Sequence, residues 1–288
     1  MSLPIDWPSL LRWSKLTHLM VTDCIPSVTW FSLVRSCVDL QYGLFYIKPN
    51  HGPPNVIPAH VNEHTLPHLT TLRLVFLREY DGRIFHGFHL PALKTLELHS
   101  LIGLSQYSNQ LPYRLHHFLP SLQTFSFIGI AIPTDDLLDL LRFSLNLVDL
   151  EFGTSRSVDH ELLFKRMSYV GGSTPDDKDQ VLLPKLEKLA FHVPCAVDDP
   201  DGEATVFPTD AFVAMVRSRW TTELPESTTT ETLSCLSHLI FSTTEQDSLD
   251  QVEDLLTPCS NEGLVTTLRQ IEDKRWNFHN RFTDLEHW

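Results

Sequence analysis

The sequence predicts an α/β solenoid, in which a curved, mainly parallel sheet carries helices or helical turns on its convex side. The pattern L-P-x-L-x-x-L-x-L, with Phe replacing some leucines, recurs together with looser copies at 16–21, 66–74, 90–98, 119–127, 147–152, 183–191 and 236–241. Stretches in which Pro precedes Ser or Thr and then apolar residues at helical spacing lie between several copies. A repeated unit buries its apolar side by stacking on its neighbours, so this regularity indicates a solenoid.

The spacing of the copies assigns them to leucine-rich repeats. Leu69 and Leu93 are 24 residues apart, and Leu93 and Leu122 are 29 apart, within the period of roughly 20–29 residues that leucine-rich repeats show. Later spacings are longer. We expect polar, turn-forming insertions to fill them, at 171–178, 198–203 and 221–232.

Three Pro-Ser/Thr sequences predict where helices begin. Ser27, Thr134 and Thr209 each follow a proline and precede an apolar stretch, so we expect their hydroxyls to cap helix N-termini. Asp135 and Asp210 then lie in first turns, where the helix dipole favours negative charge.

The repeats divide the chain into three regions. Residues 1–60 form an irregular N-terminal repeat or cap, with a strand at 38–45 and a Pro-rich loop from 48 to 58. Residues 61–245 hold the regular repeats with acidic loop insertions. Residues 246–288 are expected to form a helical C-terminal cap and tail, with one helix over Leu249–Leu256 and a second over Leu264–Ile271.

Composition and charge narrow the functional classes. Residues 1–130 have a net charge of +2 and residues 131–288 a net charge of −16, which disfavours nucleic acid because phosphate binding needs clustered Lys and Arg. No uncharged run is long enough to span a bilayer, and the N-terminus lacks the regions of a secretory signal. The five cysteines form no C-x-x-C pair. We therefore expect an intracellular protein that binds neither nucleic acid nor membrane.

The sequence offers no recognisable catalytic or metal-binding motif. It contains neither G-x-S-x-G nor a phosphate loop of the G-x-x-x-x-G-K type. The adjacent His116 and His117, and His192 three residues before Cys195, lack a second pair at zinc spacing. The acidic segment 198–203 lacks the full spacing of a calcium loop. We expect a protein that is not an enzyme and that carries no catalytic residue, cofactor or metal.

The residues that alternate with the leucines of each strand are the candidate binding residues. In L-x-x-L-x-L the leucines point into the core and the alternate side chains line the concave face of the sheet. Stacked repeats align these side chains in columns that mix charged, small polar and apolar groups. The predicted partner-binding residues are Met20, Thr22, Arg73, Val75, Glu97, His99, Ser126, Ile128, Glu151 and His192.

The repeats at roughly 10–245 resemble the leucine-rich-repeat region of the fungal F-box/leucine-rich-repeat protein group. The resemblance rests on the L-P-x-L-x-x-L-x-L units, on helices ending in Leu/Val-Arg-Ser-type sequences and on the irregular spacing. It implies a substrate receptor whose F-box docks a cullin–RING ubiquitin ligase adaptor while the repeats hold the protein substrate. We expect no F-box in this chain, because the first strand begins near Leu16. A cullin–RING ligase adaptor is therefore expected as a partner only if the gene encodes an F-box that this sequence lacks. The alternative is a stand-alone leucine-rich-repeat scaffold that binds a protein partner without a ubiquitin role.

Overall fold

The protein is known from a computed structural model, which describes residues 12–48, 63–77, 82–100, 115–153, 158–168, 182–193, 207–220 and 234–271. These residues form an α/β fold around one large parallel sheet. The predicted insertions at 171–178, 198–203 and 221–232 lie outside the described residues, as do Cys195, the tail from Asn277 and most of the Pro-rich loop.

The described strands, numbered in chain order, run from β1 near the N-terminus to β11 near the C-terminus. They are β1 His18–Pro26, β2 Tyr42–Lys48, β3 His64–Thr65, β4 Thr71–Phe76, β5 Phe88–His89, β6 Thr95–Ser100, β7 Thr124–Ile128, β8 Asp149–Gly153, β9 Lys188–His192, β10 His238–Thr243 and β11 Val265–Gln270.

Nine of these strands form the large sheet, in the order β1-β2-β4-β6-β7-β8-β9-β10-β11. Every neighbouring pair is parallel. The nine strands follow one another across the sheet in the same order as along the chain. The short strands β3 and β5 pair with each other in a second, two-stranded parallel sheet.

Within the described segments, helices make the return connection in five places. The described helices are α1 Ser27–Ser36, α2 Thr134–Phe143, α3 His160–Met167, α4 Thr209–Trp220 and α5 Gln246–Asn261. They follow β1, β7, β8, β9 and β10. Elsewhere the described return segments contain the small β3–β5 sheet and the 3-10 turns Gly82–Phe85 and Leu119–Ser121.

The L-P-x-L segment is a turn that sets the start of each strand. The backbone N–H of Leu93 donates to the carbonyl of Leu90 at 3.2 Å, and Leu122 and Leu186 donate to the leucine three residues earlier at the same distance. Two residues after the second leucine of each segment the strand begins, and proline fits within this turn because its missing N–H is not needed there.

The leucine and phenylalanine positions of the strands form one continuous apolar core with the helices. In register across the sheet, the first core position is occupied by Leu72, Leu96, Phe125, Leu150, Leu189 and Leu239. Helix residues such as Leu140, Phe164 and Phe212 belong to the same buried cluster. The leucine repeat therefore fixes both the packing of each unit and its alignment with the next.

The structure confirms the strands that the seven repeat copies predict. It corrects the bounds of one further predicted strand and the type of one predicted helix. The strand expected at 38–45 begins and ends later, at Tyr42–Lys48. The helix expected over Leu249–Leu256 is confirmed as part of α5. The second C-terminal helix is wrong, because Val265–Gln270 is the edge strand β11.

The helix starts are predicted correctly, but the capping role is wrong for two of the three residues. Ser27 and Thr134 are the first residues of their helices, and Pro26 and Pro133 occupy the N-cap positions. The Thr134 hydroxyl instead accepts a 2.7 Å hydrogen bond from the backbone N–H of Asp159, which joins this unit to the next.

Candidate functional site

The sheet has a second face, opposite the core, which carries three side chains from most strands. We call it the outer face, and we number its positions 1, 3 and 5 along each strand, so that in β4 they are Thr71, Arg73 and Val75. Because side chains alternate along a strand, these positions point away from the leucine core. Nine of the ten predicted binding residues belong to positions 3 and 5, and Thr22 is the exception.

Position 3 forms an unbroken column across the whole sheet. Its members in sheet order are Met20, Leu44, Arg73, Glu97, Ser126, Glu151, Ala190, Ile240 and Thr267. The column contains the predicted binding residues Met20, Arg73, Glu97, Ser126 and Glu151, and its members Leu44 and Thr267 come from strands that lie outside the seven repeat copies.

Position 5 also forms a column, with one correction at its first strand. Its members are Tyr46, Val75, His99, Ile128, Gly153, His192, Ser242 and Arg269. Thr22 was expected to begin this column. The register of β1 on β2 is irregular between Val21 and Ile25, so Thr22 has no partner in the β1–β2 register.

Burial divides the ten predicted residues into two groups. Val75, His99, Ser126, Ile128 and His192 are buried. The others are Met20, which is 49% exposed, Thr22, which is also exposed, and Arg73, Glu97 and Glu151, which are partly exposed. A partner that docks on the face as it stands can touch only the second group. That these residues bind a partner stays a prediction.

An ion pair occupies the centre of the accessible part. Arg73 Nε lies 3.1 Å from Glu97 Oε1, and the side chains are 27% and 17% exposed. The Arg73 guanidinium also lies 5.8 Å from the centre of the Tyr42 ring, within cation–π range. Neighbouring strands place opposite charges side by side here, which stabilises the sheet and holds the Arg73 side chain in place.

Four polar side chains on the next strands form a hydrogen-bonded row. His99 Nε2 lies 2.9 Å from Ser126 Oγ, and that hydroxyl donates to Glu151 Oε2 at 2.8 Å. The other Glu151 oxygen, Oε1, lies 2.9 Å from His192 Nε2. The row runs across β6, β7, β8 and β9, so each repeat contributes one member.

The direction of these hydrogen bonds argues against a nucleophilic serine. Because Ser126 donates its hydroxyl proton to Glu151, the hydroxyl accepts from His99, and His99 does not act as its base. The row instead holds both oxygens of the Glu151 carboxylate, whose side chain is 17% exposed. Its effect is to fix a negative charge on the outer face.

Position 1 is the part of the face that sequence reasoning missed. Its column reads His18, Tyr42, Thr71, Thr95, Thr124, Asp149, Lys188, His238 and Val265. All nine residues are exposed or partly exposed. The signal was present, because position 1 is the residue just before the first core position of the strand and lies two residues before position 3.

The pKa of Asp149, a member of the position-1 column, is shifted by burial and by its charged neighbours. Burial raises the pKa of its carboxyl, and the nearby Glu151 carboxylate raises it further, while Lys188 and His238 act in the opposite direction. Asp149 therefore keeps a proton to higher pH than an exposed aspartate does.

The described residues contain no group of three or more His, Cys, Asp or Glu side chains arranged to hold a metal ion. The rings of His116 and His117 are nearly perpendicular, and His116 packs edge-on against Phe143 at 4.5 Å. Among the same residues, no helix combines the length and the apolar character needed to cross a bilayer.

No protein-family model matches the chain. No curated protein is significantly similar to it either.

Proposed function

We propose that this chain is a leucine-rich-repeat solenoid that binds a protein partner through positions 1 and 3 of its outer face. The observation that carries the proposal is the unbroken position-3 column, in which nine parallel strands in chain order present one side chain each. Six of these nine side chains are exposed or partly exposed, and Leu44, Ser126 and Ala190 are buried. The column therefore offers a partner regularly spaced contacts on a rigid support, as solenoid proteins commonly do.

The repeated backbone pattern supports the solenoid assignment. In successive units, one carbonyl just before the strand accepts two N–H groups of the next unit: Thr70 accepts from Lys94 and Thr95, and Lys94 accepts from Gln123 and Thr124. The same arrangement recurs from Gln41 to Glu187. Each unit therefore stacks on its neighbour through the same bonds.

The character of the accessible residues favours a protein partner. The ion pair of Arg73 and Glu97, the carboxylate of Glu151 and the apolar side chains of Met20 and Val265 give a surface of mixed charge and polarity. Binding of a phosphate backbone would need a continuous stripe of Lys and Arg, and the described residues of positions 1 and 3 do not form one. Mixed surfaces of this kind are typical of protein interfaces.

The resemblance to the F-box group supports a finer proposal, in which the partner is a substrate of a cullin–RING ubiquitin ligase. The alternative, a scaffold without a ubiquitin role, uses the same surface. The two differ in whether ligase subunits accompany the partner.

Site-specific photocrosslinking in cells that express the gene tests the surface. A benzoyl-phenylalanine replaces Lys188, an exposed residue of position 1, and as a matched control it replaces Lys165, an exposed residue of α3. We expect one defined protein to crosslink to position 188 and not to position 165. Identical products from both positions would contradict the proposal.

A charge swap tests whether the column itself recognises the crosslinked protein. The double variant Arg73→Glu/Glu97→Arg keeps an ion pair and the net charge of the face, so we expect it to retain stability and to lose the crosslink at position 188. Cullin–RING adaptor subunits that co-purify with the wild-type protein would support the ligase context. Their absence from a stoichiometric complex would favour the scaffold.

A further inference from the structure

The strand β11 ends the large sheet, and within the part of the chain that the structure describes no strand pairs with the second side of its backbone. Val265 N–H donates to the carbonyl of Ser237 at 3.0 Å, and Ile271 N–H donates to Thr243 at 2.8 Å, so the odd-numbered residues of this strand point their peptide groups towards β10. Those of the even-numbered residues point away, because successive peptide groups alternate along a strand. Among the described residues, β10 is the sole strand that pairs with β11.

The residues of β11 do not protect this edge. The strand Val-Thr-Thr-Leu-Arg-Gln contains no proline and a single charge, and Val265 is 52% exposed. The opposite edge differs, because the register of β1 is irregular between Val21 and Ile25 and the exposed Asp23 lies in that stretch. Irregularities and charges are the features that discourage strand pairing at an edge. The open backbone groups of β11 can thus accept a further strand.

We propose that the added strand is β11 of a second copy of this chain, paired antiparallel about a two-fold axis at Leu268. In this register Leu268 faces Leu268 of the second copy, and Thr266 faces Gln270. All three outward-pointing residues then form hydrogen-bonded pairs, which exchange six N–H···O=C bonds. A shift by two residues in either direction leaves at least one of them facing a residue beyond the ends of β11.

The side chains are complementary in the same register. Arg269 lies opposite Thr267 of the second copy, so no like charges meet, and the exposed Val265 lies opposite Ile271. Leu268, which is partly buried against the core, meets its own copy and extends the apolar layer across the axis. The two-fold relation uses the same edge in both copies and closes the assembly, whereas pairing β11 with the irregular β1 would build an open chain.

Disulfide trapping tests the register. Thr267 and Arg269 of opposite copies form a non-hydrogen-bonded pair with Cα atoms about 4.5 Å apart, within disulfide range. We expect the full-length variant Thr267→Cys/Arg269→Cys to form a covalent dimer on mild oxidation. Thr267→Cys alone and the wild-type chain with its native cysteines are the controls, and both should stay uncrosslinked. Equal crosslinking of the single and double variants would overturn the register.

Sedimentation equilibrium of the full-length chain tests the dimer. Gln270→Pro removes an outward N–H without touching the bonds to β10, and Gln270→Ala is the matched control. We expect a wild-type dimer, a rise of about tenfold or more in the dissociation constant for Gln270→Pro, and no change for Gln270→Ala. Circular dichroism should show an unchanged fold in both. A monomeric wild-type chain, or a dimer that Gln270→Pro leaves intact, would overturn the proposal.

Discussion

The buried arginine at the end of α4 offers a sharp test of how the units are held together. Arg219 is 0% exposed. Its Nε donates to the carbonyl of Met167 at 2.5 Å, and its two terminal nitrogens donate to Leu183 at 3.1 Å and Leu182 at 2.5 Å. One side chain thus joins the end of α3, the turn before β9 and its own helix.

We predict that Arg219→Met lowers the free energy of unfolding by about 3 kcal/mol. Each hydrogen bond from a charged donor contributes about 1.5–3 kcal/mol. Part of that loss is offset because methionine has no buried charge to desolvate. Three carbonyls that lose this donor outweigh the offset, since methionine fills a similar volume but donates nothing.

The assay is urea unfolding followed by circular dichroism. With a slope of about 3 kcal/mol per M, the midpoint should fall by about 1 M. The matched control is Arg217→Met, because Arg217 is exposed and donates to Leu255 from the surface of the same helix. We expect this control to cost less than about 1 kcal/mol. Equal midpoints for the two variants would refute the reasoning.

Three further predictions concern single residues. Burial raises the pKa of Asp149, so the stability that its neutral form contributes at low pH is lost as the pH rises through the folded-state pKa. Asp149→Asn should therefore raise the Tm at pH 7. A gain in Tm that persists below about pH 4 would contradict this. Burial lowers the pKa of His160, against the opposing effect of Asp159, so its contribution is present above about pH 6.5 and lost on acidification. His160→Phe should therefore flatten the fall in Tm between pH 7 and pH 5, and an unchanged slope would count against it. Gly129 has a φ of 70°, and an added Cβ would lie 2.5 Å from the carbonyl oxygen of Ser100; Gly129→Ala should cost about 2 kcal/mol in chemical unfolding, whereas a neutral result would mean that this turn relaxes.

The strands and their register could be predicted because both follow from local sequence. In every unit that opens with L-P-x-L the strand begins two residues after the second leucine of the turn. Arg73 and Glu97 therefore fall at equal distances from their turns and stand side by side. A fixed offset from the turn is enough to align a column across the sheet. No knowledge of long-range packing is needed.

The features that were missed depend on contacts between distant parts of the chain. Leu264, Leu268 and Ile271 have helical spacing, but the segment forms a strand because it pairs with β10. Tertiary packing at this end of the sheet outweighs the local helical pattern. Arg219 bonds to carbonyls 36, 37 and 52 residues away, and no sequence pattern marks a backbone oxygen as an acceptor. Cooperative packing decides both.

The division of the outer face into buried and accessible columns changes where specificity can lie. Position 5 is buried at Val75, His99, Ile128 and His192, so substitutions there act on stability before they act on binding. Position 1 and six of the nine residues of position 3 remain accessible to a partner, whereas Leu44, Ser126 and Ala190 are buried. Glu151 connects the accessible residues to the buried ones because its carboxylate is held by Ser126 and His192. A change at His192 should therefore alter partner affinity only by releasing Glu151, whereas a change at Lys188 should alter affinity without altering stability. Measuring both quantities for the two substitutions separates a residue that contacts the partner from one that positions its neighbour.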